Sequence, residues 1–91
     1  MSATVRIPTI LRTYTAGAAE VSADGATLAQ VLSDLDANYP GIAGRVLDDN
    51  GALRRFVNIY VNDDDVRFLD GLDTAIADGA NLSIIPAVAG G

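Results

Sequence analysis

The sequence predicts an α+β fold in which one main helix packs on one face of a mixed β-sheet. Three observations support this prediction. A stretch after Thr27 has apolar residues at helical spacing, residues 56–62 alternate as a β-strand does, and shorter β-rich segments lie on either side. One helix combined with several strands is the layout of a two-layer α+β domain.

The first two strands are predicted at residues 5–11 and 20–23. The first begins with alternating apolar and polar residues, and Pro8 marks a bulge or an unpaired side because proline cannot donate to a ladder. Residues 14–19, which include Gly17, are predicted to form a hairpin turn between these strands. Asp24 and Gly25 are expected to end the second strand.

The main helix is the clearest element. Its apolar residues fall at i, i+3, i+4 and i+7 and are Leu28, Val31, Leu32 and Leu35. Thr27 followed by Gln30 suggests a capping box at the start, and Pro40 with Gly41 marks the end. Residues 42–55 are expected to connect the helix to the next strand through a short helical turn and a loop.

The remaining strands are predicted at residues 56–62, 66–68 and 82–85. Leu72 and Ile76 should anchor the turn before the last strand, and Pro86 should end it. A hairpin followed by a helical crossover suits a β-grasp arrangement, in which the last strand inserts beside the first. We therefore expect a β-grasp domain over residues 1–86.

The composition limits the chemistry that this chain can perform. Of its 91 residues 49% are hydrophobic and 20% are charged, as in an ordinary folded domain. Cysteine and histidine are absent, which excludes disulfides, thiolate nucleophiles, Cys/His zinc sites and an imidazole base. No apolar run reaches the roughly 18 residues of a membrane span, and residues 1–12 lack a signal-peptide pattern, so we expect a cytoplasmic protein.

The charge pattern bears on the choice of partner. The net charge of −6 disfavours nucleic acid and anionic membranes and favours a basic protein. Genomic base composition is the simpler explanation for the absence of lysine, and a minor hypothesis is that it removes side-chain amines that could capture an activated acyl group. The acidic clusters at 63–65 and 48–51 lack the ligand spacing of a calcium loop, so we expect turns with side-chain to backbone hydrogen bonds and no metal site.

The segment after Pro86 is the main candidate for function. Residues 87–91 contain nothing larger than valine and end in Gly90 and Gly91, which suggests a flexible tail. Such a tail can simply be frayed. Two glycines can also enter a narrow channel, because they lack a Cβ, and would then present the carboxylate of Gly91 to another protein.

Several segments resemble a known family, the MoaD/ThiS/CysO group of bacterial ubiquitin-like sulfur carriers, in particular its cysteine-biosynthesis branch. The matching segments are residues 7–12, 55–63, 66–68, 74–79 and 86–91. The resemblance covers nearly the whole chain and is weakest at residues 44–55 and at the Gly17 turn. It implies a protein cosubstrate for partner enzymes, with Gly91 and Gly90 as the reactive end.

The resemblance also implies the partners. An E1-like adenylyltransferase or sulfurtransferase of the MoeB/ThiF/MoeZ type would adenylate Gly91 with ATP and convert it to a thiocarboxylate. A PLP-dependent cysteine synthase would accept the sulfur, and a JAMM-type metalloprotease would release the product. ATP, PLP and zinc would belong to these enzymes, with no cofactor bound by this chain. Molybdopterin, thiamine or a thiosugar remain alternative acceptors, and a ubiquitin-like protein modifier or a structural binding module are alternative functions.

Strand alternation predicts a second site on the sheet. If Val57 and Ile59 face the helix, Phe56 and Tyr60 should point to the opposite face, where Ile85 should join them. An apolar patch there would be a docking surface, although exposed apolar residues are also common without a function. The predicted partner-binding residues are Phe56, Tyr60, Ile85, Pro86, Ala87, Val88 and Ala89.

Overall fold

The computed structural model describes residues 2–86 and shows one five-stranded sheet with a main helix. The strands are β1 (Ser2–Arg6), β2 (Glu20–Asp24), β3 (Val57–Val61), β4 (Asp64–Asp65) and β5 (Asn81–Pro86), and the α-helices are α1 (Leu28–Asn38) and α2 (Ala43–Val46). Three 3-10 helices cover Thr9–Thr15, Val66–Phe68 and Gly71–Asp73. None of the helices in residues 2–86 is long and apolar enough to cross a membrane.

The sheet has the strand order β2-β1-β5-β3-β4. β5 pairs in parallel with β1 and antiparallel with β3, while the hairpin partners β1 and β2 are antiparallel. The last strand therefore lies beside the first, and the predicted mixed sheet and β-grasp order are confirmed.

The start of α1 follows the predicted cap. Thr27 has extended backbone angles, and its hydroxyl accepts a hydrogen bond of 3.3 Å from the N–H of Gln30. The side chain of Gln30 reaches back to the N–H of Ala26, one residue before the cap, at 2.8 Å. The Thr27 hydroxyl therefore satisfies one of the backbone donors at the start of the helix, and Gln30 satisfies a donor in the segment just before it.

The core lies between α1 and one face of the sheet. Alternate residues of the strands meet the apolar face of the helix, as predicted. The largest fully buried side chains are Ile7, Leu28, Leu32, Leu35, Ile42, Ile59, Ile76 and Leu82. Ile76 anchors the turn before β5 through its N–H, which donates to the carbonyl of Ala26 at 2.9 Å.

The predicted extension of the first strand to residue 11 is wrong. β1 ends at Arg6, and after Pro8 the chain forms a 3-10 helix over Thr9–Thr15 where the hairpin turn was expected. Pro8 has no N–H for the ladder, and its carbonyl accepts from the N–H of Leu11 at 2.9 Å, which closes the first turn. Leu11 is buried from this helical conformation.

The predicted strand at residues 66–68 is also a 3-10 helix. The carboxylate of Asp65 accepts from the N–H of Arg67 at 2.9 Å and turns the chain, so β4 has only two residues. Asp48 caps its own loop in the same way, accepting from Asn50 and Ala52. The expected side-chain to backbone bonds are therefore present, and within residues 2–86 no three acidic side chains converge as metal ligands would.

Substitution of two neighbouring isoleucines tests which face of the sheet contributes more to the free energy of unfolding. Ile84 is 3% exposed and Ile85 is 47% exposed on the same strand. Replacing Ile84 by alanine should lower the free energy of unfolding by about 2–5 kcal/mol because it leaves a cavity in the core. Ile85→Ala is the matched control and should cost much less. Urea unfolding of both variants checks this, and equal losses would contradict the arrangement.

Candidate functional site

The candidate site surrounds Pro86, where β5 ends. β5 pairs with β1 through Ser83 and with β3 as far as Pro86, which lies opposite Val57. Pro86 suits the final position of a strand because it has no N–H to donate. The predicted reactive residues Gly90 and Gly91 and the docking residues Ala87, Val88 and Ala89 lie outside the described residues. The structure fixes the point from which they follow.

Tyr60 and Ile85 lie on the face of the sheet opposite α1. Tyr60 is opposite Ser83 and Ile85 is opposite Asn58 in the β3–β5 ladder, so the two apolar residues are diagonal neighbours. Tyr60 is half-buried and Ile85 is exposed. The structure thus brings two of the three sheet residues of the predicted patch together.

Phe56 does not share their position. It precedes β3 in a turn closed by the N–H of Val57, which donates to the carbonyl of Arg54 at 3.0 Å. Strand alternation therefore does not extend to Phe56. Its side chain is 55% exposed and lines a cleft at the end of the sheet, beside Pro86.

This cleft, which we call the tail-root cleft, has a volume of about 350 Å³. Its walls come from the first 3-10 helix, from α2 and the chain that follows it to the start of β3, and from the end of β5. The lining residues include Ile10, Tyr14, Arg45, Arg54, Phe56 and Pro86. Sequence reasoning missed the first four because they come from separate segments and share no spacing.

Two arginines give the cleft its charge. The Nε of Arg45 donates 2.8 Å to the hydroxyl of Tyr14, and the guanidinium lies 6.0 Å from the centre of that ring. Arg54 donates through Nε and Nη2 to the carbonyl of Gly44 at 3.1 and 3.0 Å. The hydrogen bond to Tyr14 raises the pKa of Arg45, so this side chain stays a cation.

Neither arginine is neutralised within the described chain. Residues 2–86 contain one salt bridge, which joins Arg6 to Glu20 at 3.6 Å across the β1–β2 ladder and involves neither cleft arginine. Arg45 and Arg54 bond instead to neutral oxygens. The cleft is therefore a positively charged, partly apolar concavity on a chain of net charge −6.

Gly41 holds the Tyr14 wall of the cleft in place. Its φ of +97° favours glycine, and a Cβ built there would lie 3.0 Å from the Tyr14 ring. A side chain at this position would therefore strain the backbone and displace the ring.

This close approach gives a test with an internal control. Gly41→Ala should lower the free energy of unfolding by about 1–3 kcal/mol because it adds strain in a glycine conformation. It should also shift the NMR signals of the Tyr14 ring. Gly44→Ala is the control, since a Cβ there meets nothing within 4 Å. If both variants left the Tyr14 signals unchanged, the ring would not depend on Gly41.

The chain matches a known protein family along nearly its whole length. The model of the ThiS family matches residues 5–91. The sulfur carrier protein CysO of Mycobacterium tuberculosis is 62% identical, with all of both chains covered. The small archaeal modifier protein 3 of Haloferax volcanii is 46% identical over 68 residues, which are 75% of this chain and 73% of that protein.

Solved structures of related proteins have the same fold as this chain. The crystal structure of Mycobacterium tuberculosis CysO matches with a TM-score of 0.91 at 61% identity, covering 94% of this chain and 99% of that one. A chain of the Amycolatopsis orientalis BexX/CysO complex matches with a TM-score of 0.92 at 49% identity, covering 98% and 99%. The β-grasp fold predicted from the sequence is thereby confirmed.

Proposed function

The chain belongs to the ThiS family, and on this premise we propose that it carries sulfur as a thiocarboxylate on Gly91 for the biosynthesis of cysteine. The observation that carries this proposal is the full-length identity of 62% with a sulfur carrier protein, in a family match that runs through Gly91. The chain acts as a carrier and the catalysts are its partners.

The proposed chemistry takes place at the terminal carboxylate. A carboxylate is a poor electrophile, so ATP first converts it to an acyl adenylate with release of pyrophosphate. Hydrosulfide from a sulfide donor then attacks the acyl carbon, a C–S bond forms, the C–O bond to AMP breaks, and AMP leaves. The product is a thiocarboxylate, which is the form that donates sulfur. Proximity and orientation at the acyl carbon would come from the activating enzyme.

The contribution of this chain is to present its end. β5 is held on both sides through Ser83 and by β3 up to Pro86, so the tail follows from a fixed point. Five further residues can span at most about 17 Å when extended. Gly90 and Gly91 have no Cβ and can pass through a channel that would exclude larger residues. This reach is enough for the reactive carboxylate to enter a partner while the domain stays outside.

The proposed partners are those that the family resemblance implies. An E1-like enzyme of the MoeB/ThiF/MoeZ type supplies the ATP site, a PLP-dependent cysteine synthase accepts the sulfur, and a JAMM-type metalloprotease releases the product. We place no cofactor on this chain. The Amycolatopsis orientalis complex, in which a CysO chain is bound to BexX, supports association with a second protein.

Deletion of Gly91 tests the carrier chemistry directly. With ATP, sulfide and an activating enzyme, the unaltered chain should gain the mass of one sulfur-for-oxygen exchange. The chain lacking Gly91 should gain none, because its carboxylate falls one residue short of the reacting position. Intact mass spectrometry checks both, with urea unfolding to show that the fold is retained. Equal rates of sulfur gain would remove the proposal.

A second candidate is a protein modifier that forms isopeptide bonds. The 46% identity with the small archaeal modifier protein 3 favours keeping it. Both functions begin with an activated Gly91 and differ in the nucleophile that follows. In the same mass spectra a modifier would appear as conjugates with other proteins, whereas a carrier would appear as the thiocarboxylate.

The face of the sheet opposite α1, which carries Tyr60 and Ile85 and which we call the outer sheet face, is the proposed docking surface for the activating enzyme. Tyr60→Asp should raise the concentration of the chain needed for half-maximal adenylation by about tenfold or more, because it puts a charge into an apolar contact. Ser33→Asp adds the same charge on the solvent face of α1 and should have no such effect. Pyrophosphate release measures both, and identical curves would exclude docking at Tyr60.

A further inference from the structure

We propose that the tail-root cleft binds an acidic segment of the partner protein that takes up the tail, and that this segment inserts a large apolar side chain. This inference rests on the proposed function and adds a second contact to it. The cleft differs from the outer sheet face both in position and in charge.

The apolar part of the cleft is exposed in the isolated chain. Ile10 is 65% exposed and Phe56 is 55% exposed, although both are large hydrophobic residues. They come from different segments and flank the same concavity. A volume of about 350 Å³ accommodates an apolar side chain with its adjoining backbone. The apolar walls therefore suit a side chain inserted by a partner.

The charged part of the cleft favours a partner segment that carries negative charge. A guanidinium has five N–H donors, of which Arg45 uses one and Arg54 uses two within the described residues. The remaining donors can bind carboxylates in a bidentate manner. Tyr14 and the carbonyl of Gly44 already hold the two side chains in position, so less rotamer freedom is lost on binding.

The position of the cleft identifies which protein supplies the segment. Pro86 lines the cleft and is also the last residue of β5. An occupant of the cleft is therefore adjacent to the start of the tail, and a protein that holds the tail must pass next to the cleft. The chain has a net charge of −6, so surface away from its arginines repels carboxylates, and an acidic segment held at Arg45 and Arg54 would fix the orientation of the partner.

A defined probe tests the cleft on the full chain. The probe is the acetylated and amidated peptide Glu-Phe-Glu-Leu-Glu, compared with its counterpart in which lysine replaces each glutamate. NMR titration should give saturable shifts at Ile10, Tyr14 and Phe56 with the acidic peptide and none with the basic one. No shifts at the cleft, or equal shifts with both peptides, would overturn the proposal.

Matched variants show whether the two arginines are responsible. Replacing both Arg45 and Arg54 by glutamine should weaken peptide binding by about tenfold or more. Arg6→Gln, at an exposed arginine paired with Glu20, should leave binding unchanged. If the double variant fails to fold, Arg45→Gln alone decides, because this guanidinium bonds only to Tyr14 within the described residues. Unaltered affinity in a folded variant contradicts the inference.

The enzyme assay separates this inference from the proposed function. In adenylation by the activating enzyme, the double variant should raise the KM for the chain and leave kcat unchanged. If the unaltered chain gains no sulfur, the proposed function fails whatever the peptide does. If it gains sulfur while the peptide leaves the cleft unshifted, the function stands and this inference falls.

Discussion

The pairing of β5 on both sides is the constraint on which the rest of the structure depends. β5 bonds in parallel to β1 and antiparallel to β3, so one strand joins the hairpin to the second half of the sheet. The inner face of β5 supplies Leu82 and Ile84 to the core beneath α1. Its outer face carries Ile85, and its end places Pro86 at the cleft. The core and the position of Pro86 therefore depend on the same strand.

The helix and the sheet order could be predicted because their signals are local or follow from connectivity. The spacing of Leu28 to Leu35 and the cap at Thr27 define α1 within a few neighbouring residues. The alternation in β3 placed Ile59 inside and Tyr60 outside correctly. A right-handed crossover then left few arrangements for the last strand.

The parts that sequence reasoning missed depend on contacts between distant segments. The run after Pro8 is rich in β-forming residues, yet the missing N–H of Pro8 and the burial of Leu11 favour a 3-10 helix. Phe56 has the spacing of an outward strand residue but lies in the preceding turn. The tail-root cleft is lined by three segments of the chain, and no sequence pattern within any one of them predicts it.

Four of the six arginines share a chemical setting that explains the local positive charge on an acidic protein. Within residues 2–86, Arg12, Arg45, Arg54 and Arg67 donate to neutral oxygens of carbonyl, hydroxyl or amide groups. A neutral acceptor orients a guanidinium without cancelling its charge. A field of this kind is local, since salt screens exposed charges beyond a Debye length of about 8 Å at physiological ionic strength. Acidic and basic regions can therefore coexist on one small surface.

The place of β5 between β1 and β3 also governs when the protein can fold. During synthesis the ribosome produces β1 first and β5 after every other strand, so the centre of the sheet is vacant until residues 81–86 emerge. Contacts between residues so far apart in sequence form slowly. Until then the apolar residues of the β1–β2 hairpin and of α1 lack the contacts that β5 supplies. A chain truncated before Asn81 would lack both ladders that join the two halves of the sheet.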